Sequence, residues 1–245
     1  MKKENKKGVS RRSFLKSSLL LAGSYAFLSC TSNNDPIDDL IDDDDDNGDN
    51  SDNGESKVNP FDFDKKTVLL NSGYEMPIIG IGTYLLNTAQ AEQSVYNALK
   101  TGMRLIDTAD IYGNERGVAR GIQRAMQDFG IRREEIFVTT KLWTSDFYRA
   151  DEGVDERLER LELQYIDLLL LHHTGRDDEH AYLAMERGVQ AGKLRSIGIS
   201  NFYEADVDRF MKIATIPPAV LQNETHPYNQ SRAVKNHIAP WGTLR

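Results

Sequence analysis

Arg104-Leu-Ile-Asp-Thr-Ala-Asp-Ile-Tyr112-Gly-Asn-Glu115 decides the fold: a short apolar run ends in Asp107 and passes into a polar turn that carries Tyr112. An acid at the C-terminal end of a buried strand marks the place where alternating strand/helix chains gather their loops around one crevice. Three further runs end the same way, in Val138-Thr-Thr-Lys141, Asp167-Leu-Leu-Leu-Leu-His172 and Ile197-Gly-Ile-Ser-Asn201. An acid, a phenol, an ammonium and an imidazole thus arrive at strand ends in sequence order.

Working outward, Val68-Leu-Leu70 and Glu75-Met-Pro77 flank Asn71-Ser-Gly-Tyr74 as a small hairpin, with Gly73 supplying the positive-φ turn residue. Pro77 to Gly82 reads as the first strand of a larger sheet. Ala91, Val95, Ala98 and Leu99 recur at helical spacing up to Gly102, and Val118, Ile122, Ala125 and Met126 mark a second helix between Asn114 as cap and Gly130. Further strands fall at Ile136 to Lys141, Ile166 to Leu171, Ser196 to Ser200 and Ala219 to Asn223. The fourth strand reads as buried on both faces. Helices fall at Val154 to Leu161, about 179–191, Val207 to Ala214 and about 230–239. Strands starting roughly every thirty residues suit one βα unit each, so the fold class is α/β, a parallel sheet with helices outside.

The strand-end residues, with Gly80-Ile-Gly-Thr83, Gly192-Lys-Leu-Arg-Ser-Ile-Gly-Ile-Ser-Asn-Phe202 and Gln222-Asn-Glu-Thr-His-Pro-Tyr228, resemble the aldo-keto reductase family over about residues 66–245. That resemblance implies a TIM (β/α)8-type barrel whose bottom the hairpin plugs. Only six βα units fit before Trp241-Gly-Thr-Leu-Arg245, so 61–245 is expected to be an incomplete barrel, which makes an inactive, truncated relative the alternative to an active enzyme. The resemblance further implies reduction of aldehyde or ketone carbonyls with NADP(H) or NAD(H), by a monomer acting on a small-molecule substrate. Tyr112 matches the proton donor, Lys141 and Asp107 the pair that tunes it, and His172 the imidazole that orients the carbonyl. Ser200, Asn201 and Gln222 match residues that bind the nicotinamide carboxamide, Thr83 and Asp107 complete the cofactor edge, and Tyr84 and Trp143 match pocket walls. His173, expected on the opposite face of its strand, and His226 are read as neighbours without a role.

The chemistry has its own logic. A phenol with an ordinary pKa of about 10 is a weak acid near neutrality, and a buried cation beside it is expected to lower that value. A metal-dependent hydrolase built on His172, His173, Glu224 and His226 is a competing reading, but those residues lack the His-x-His of a first strand, and no metal site is expected.

The formal charge of −8 hides two blocks: residues 1–30 carry seven Lys/Arg against one Glu, and residues 31–60 eleven acids against one Lys. The remainder is mildly acidic and lacks the basic surface that nucleic acid requires. Lys2 to Lys7, Ser10-Arg-Arg-Ser-Phe-Leu-Lys16 and the apolar run Leu19 to Leu28 read as an export leader, 1–30, that resembles a twin-arginine signal. Cys30, the sole cysteine, stands where a lipoprotein is acylated, so the chain is expected in the periplasm or anchored to the membrane of a bacterial envelope. Residues 31–60 are too acidic and too poor in apolar residues to fold, and read as a disordered linker. Limited proteolysis should therefore cut between about residues 31 and 60 and leave a resistant remainder; protection throughout that window would refute the linker.

Overall fold

The computed structural model describes residues 60–244; the leader, the acidic linker and Cys30 lie outside the described residues. Strands β1 (Phe61–Asp62), β2 (Thr67–Leu69) and β3 (Glu75–Pro77) form a small antiparallel sheet. Its β2–β3 hairpin turns through Gly73 at φ +85°. The main sheet is parallel, ordered β4 (Gly80–Gly82), β5 (Leu105–Asp107), β6 (Phe137–Leu142), β7 (Ile166–Leu171), β8 (Leu194–Ser200) and β9 (Val220–Gln222), and curls as a half-barrel. Helices α1 (Thr88–Lys100), α2 (Glu115–Phe129), α3 (Ala150–Leu161), α4 (Asp178–Gln190), α5 (Glu204–Phe210) and α6 (Arg232–Ile238) fill the crossovers.

Local chemistry accounts for the ends of α1 and α2. Asn87 opens α1 with a capping box, its Oδ1 accepting from Gln90 N while its own N–H donates to Gln90 Oε1. Gly130 closes α2 in the left-handed conformation. Asn114 precedes α2 without capping it: its amide donates to the carbonyls of Thr83 and Leu86, and its Oδ1 accepts from the Thr83 and Thr108 hydroxyls. It straps the loop after β4 to the turn after β5.

Two cores divide each strand by period two. Ile106, Val138, Leu142, Leu169, Leu171, Ile197, Ile199 and Leu221 pack outward against the helices. Leu105, Phe137, Leu168, Leu170 and Val220 face inward with Val68 and Leu70 of the hairpin. All six residues of β7 are buried, as a strand covered on both faces requires. Asp167 is among them, 2% exposed, and is satisfied by Arg133, Arg195 and the Val138 N–H.

The register fixes what stands at the top of the inner face. Continuing the inward parity by one or two steps from Leu105, Phe137, Leu170 and Val220 brings Asp107, Thr139 and Lys141, His172 and Gln222 to that face. Ser200 lies opposite Gln222. The outer side of β9 is not bare. Leu244 lies parallel to it, with Leu221 N–H donating to Leu244 O at 2.8 Å and Leu244 N–H to Ala219 O at 2.9 Å.

Gly198 sits in register with Leu170 and Val220, and a Cβ there would overlap the Val220 carbonyl and the Leu170 side chain. Gly198→Ala should cost about 1–3 kcal/mol or more by overpacking, read as a lower urea midpoint with an unchanged slope; an unshifted midpoint would refute this close packing.

Candidate active site

Strand ends build the site. Lys141, the fifth residue of β6, is 1% exposed, and its Nζ lies 2.6 Å from Asp107 Oδ1 at the end of β5 and 2.9 Å from the Thr108 carbonyl. The other carboxylate oxygen of Asp107 accepts from Gln222 Nε2 at 2.9 Å, so the pair reaches across the barrel mouth to β9. Tyr112 ends a 3-10 turn that follows β5 and closes on Gly113 at φ +66°. Its ring centroid is 5.3 Å from the Lys141 ammonium, 5.0 Å from the Tyr84 ring and 5.7 Å from the His172 ring.

These groups surround one cavity of about 920 Å³. Tyr112, Trp143, His172, Ser200, Asn201 and Gln222 line it, with Tyr84 at the rim. Two smaller openings toward the other end of the strands, of about 620 and 430 Å³, hold none of the strand-end residues. Asp107 and Lys141 form the layer beneath the cavity. Thr83 does not line it: fully buried, its hydroxyl is spent among Thr108, Asn114 and the Asp107 carbonyl. Among the expected catalytic, cofactor and substrate residues, the structure brings together all except Thr83, which supports the loops behind.

Burial, and then the neighbouring Asp107 charge, push the Tyr112 phenol up to about 12. The expected lowering by Lys141 does not occur in this geometry, because the ammonium points at Asp107 and the Thr108 carbonyl rather than at the phenol oxygen. Burial, then the Lys141 charge and His173, push the His172 imidazole down to about 4, so it is neutral at physiological pH. His172 Nδ1 is buried with no partner, which leaves Nε2 as the nitrogen open to the cavity.

Sequence reasoning missed two groups here. His173 lines the cavity too: β7 ends at Leu171, so strand alternation no longer separates the two rings, which stack at 5.5 Å with Trp143 edge-on to both. Asp110 accepts the Trp143 backbone N–H at 3.1 Å and the Ile111 N–H at 2.6 Å, tying the tyrosine's turn to the end of β6. Its signal was an acid inside the quoted stretch, with nothing in the sequence to name its partners. Among the described residues no three His, Cys, Asp or Glu side chains converge as a metal set, and the His226–Glu224 pair is exposed.

Comparison with known proteins places this arrangement. The profile of the aldo/keto reductase family matches residues 78–242. The chain belongs to that family. It is 39% identical over 205 residues to an NAD(P)H-dependent D-xylose reductase of Candida tropicalis, covering 72% of this chain and 63% of the relative. It is 40% identical over 182 residues to glyoxal reductase of Bacillus subtilis, covering 73% and 64%. Among solved structures, an aldo-keto reductase of Bombyx mori in complex with NADP superposes with a TM-score of 0.67 at 33% identity, covering 72% of this chain and 64% of that one. An aldo-keto reductase from a deep-sea metagenome library gives 0.67 at 42%, covering 72% and 65%. The chain thus spans slightly under two thirds of the length of the relatives named here.

The depressed imidazole has a consequence for stability. Folded His172 takes a proton only near pH 4, and the unfolded side chain near 6.5, so its contribution is full above pH 6.5 and is lost as pH falls toward 4. The stability difference between the unsubstituted chain and H172Q should shrink across that window and stay constant outside it; urea titrations giving a pH-independent difference would refute the buried neutral ring.

Proposed function

We propose that this chain, as a member of its family, reduces aldehyde or ketone carbonyls to alcohols with NADP(H) or NAD(H) held in this cavity. The buried Lys141–Asp107 pair beside Tyr112, with His172 across the same cavity, is the observation that carries the proposal. The cofactor test is favourable at the nicotinamide end. Asn201 and Gln222 give their amide hydrogens to protein acceptors, but neither amide oxygen accepts a hydrogen bond among the described residues, and Asn223 Oδ1 is buried without a partner. A carboxamide brings one acceptor and two donors to such a set, and Ser200 Oγ adds a hydroxyl.

The reduced nicotinamide, when bound, supplies the hydride that goes to the carbonyl carbon. The protein handles the oxygen. The His172 Nε2–H donates to the carbonyl oxygen and orients it, and the Tyr112 hydroxyl gives its proton as negative charge develops there. A phenol raised to about 12 is fully protonated at neutral pH. An alkoxide, about as basic as hydroxide from water of pKa 15.7, still takes that proton downhill. Asp107 holds Lys141 beside the Tyr112 ring, with its ammonium 5.3 Å from the ring centroid. Tyr84 and Trp143 wall the substrate, which we read as a small carbonyl compound; the named relatives act on D-xylose and glyoxal. We further propose export through the leader, with Cys30 as the point of lipid attachment.

Tyr112→Phe removes only the hydroxyl. Turnover of a test aldehyde should fall by about 10²–10⁴-fold, while NADPH still quenches tryptophan fluorescence; unchanged turnover would remove Tyr112 from the role, and no cofactor binding by the unsubstituted chain would overturn the reading itself.

A further inference from the structure

Arg157 on α3 is 1% exposed, the largest fully buried side chain among the described residues, and it stands behind the cavity rather than in it. Its Nη1 donates to Asp110 Oδ2 at 3.2 Å and to Asp146 Oδ2 at 3.0 Å, and its Nη2 donates to Glu156 Oε2 at 3.3 Å. Its Nε lies 3.7 Å from Glu115 Oε2, and Glu115 Oε1 accepts from Thr140 of β6 at 2.7 Å. A guanidinium withdrawn from water is costly, and replacing such an ionic cluster by apolar side chains is often neutral for stability. Stability alone is therefore a poor account of it.

Asp110 supplies another. The oxygen that meets Arg157 also accepts the Trp143 backbone N–H, and the second oxygen accepts the Ile111 N–H. One carboxylate therefore joins α3, the end of β6 and the turn that carries Tyr112. Tyr112 lies two residues from Asp110, and Trp143 packs edge-on against His172 and His173. We infer that Arg157 is a positioning residue which, through Asp110, sets Tyr112 and Trp143 against His172 across the cavity. This rests on the reductase reading above. Burial pushes the Asp110 carboxyl up, and the Arg157 charge opposes that push. Ser200, Asn201 and Gln222 sit on or beside β8 and β9, away from this cluster, so cofactor binding should not depend on it.

The experiment uses R157M, which keeps an unbranched stem without the fork, and R157K, which keeps the charge and covers the case in which R157M does not fold. In both, kcat should fall by about 10²-fold through misplacement, with NADPH affinity within about threefold of the unsubstituted chain. Adding either substitution to D110N should change kcat by less than about threefold, because residues acting as one unit are not additive. A lower melting temperature with unchanged kcat, or additive losses in the double variant, would overturn the inference. Backbone amide resonances of Ile111, Tyr112 and Trp143 give a readout without turnover. If the unsubstituted chain neither binds NADPH nor turns over, the reductase reading fails, and these resonances decide the positional claim alone: displacement upholds it and unmoved peaks overturn it.

Discussion

The rest of the site depends on the contact between Lys141 and Asp107. An ammonium 1% exposed is tolerable only with close acceptors, and this one has a carboxylate at 2.6 Å and the Thr108 carbonyl at 2.9 Å. Because Asp107 ends β5 and Lys141 belongs to β6, the pair locks two adjacent strands at the end where their loops begin. The second oxygen of Asp107 is held by Gln222 from β9, four places along the sheet from β5. Curling of the sheet is what brings these residues within 2.9 Å of one another. The carboxylate is therefore both the counter-ion of the lysine and a tie across the mouth.

That tie settles which charge acts on Tyr112. A lysine free to point at the phenol would favour phenolate, but here its charge is offset by Asp107, which lies close enough to oppose ionisation itself. Burial adds to the same side, and the phenol moves up rather than down. The proposed reduction does not suffer from this direction. A donor must hold its proton until the carbonyl oxygen becomes basic, and the neutral His172 beside it adds no positive charge that would favour early loss.

How much of this was legible in the sequence follows from which rules are local. Asp107, Lys141 and His172 showed as polar residues ending apolar runs, and the resemblance added Ser200 and Gln222; strand parity, a local property of each strand, accounts for all five lying on one face. The helices emerged from spacing and from Gly102 and Gly130, and most boundaries fell within a few residues. What failed to show was what two distant segments do to each other. Asn114 reads as a cap by its position, yet it is recruited by Thr83 and Leu86 across the loop. Asp110 reads as one more turn acid until α3 brings Arg157 to it. His173 was assigned to the far face by an alternation that stops at Leu171. Leu244 gives no strand pattern by itself and is ordered as an extension of β9 by the carbonyl of Ala219 and the N–H of Leu221.

Asn201 ties the ends of three neighbouring strands together at the cavity. Its backbone is left-handed at φ +59°, a conformation that Asn accepts more readily than most residues. The left-handed backbone accompanies an amide group lying within reach of the His172 carbonyl at 2.8 Å, Ser200 Oγ at 3.1 Å and His173 Nε2 at 3.3 Å. Its backbone N–H meanwhile donates to Gln222 O at 3.0 Å. One residue thus joins the ends of β7, β8 and β9, and Gln222 passes the connection on to Asp107. A ligand that engaged the free amide oxygens of Asn201 and Gln222 would bear directly on the segment that carries His172 and on the carboxylate that holds Lys141. This short chain of contacts joins the residues proposed to hold the cofactor to those proposed to act on the carbonyl oxygen.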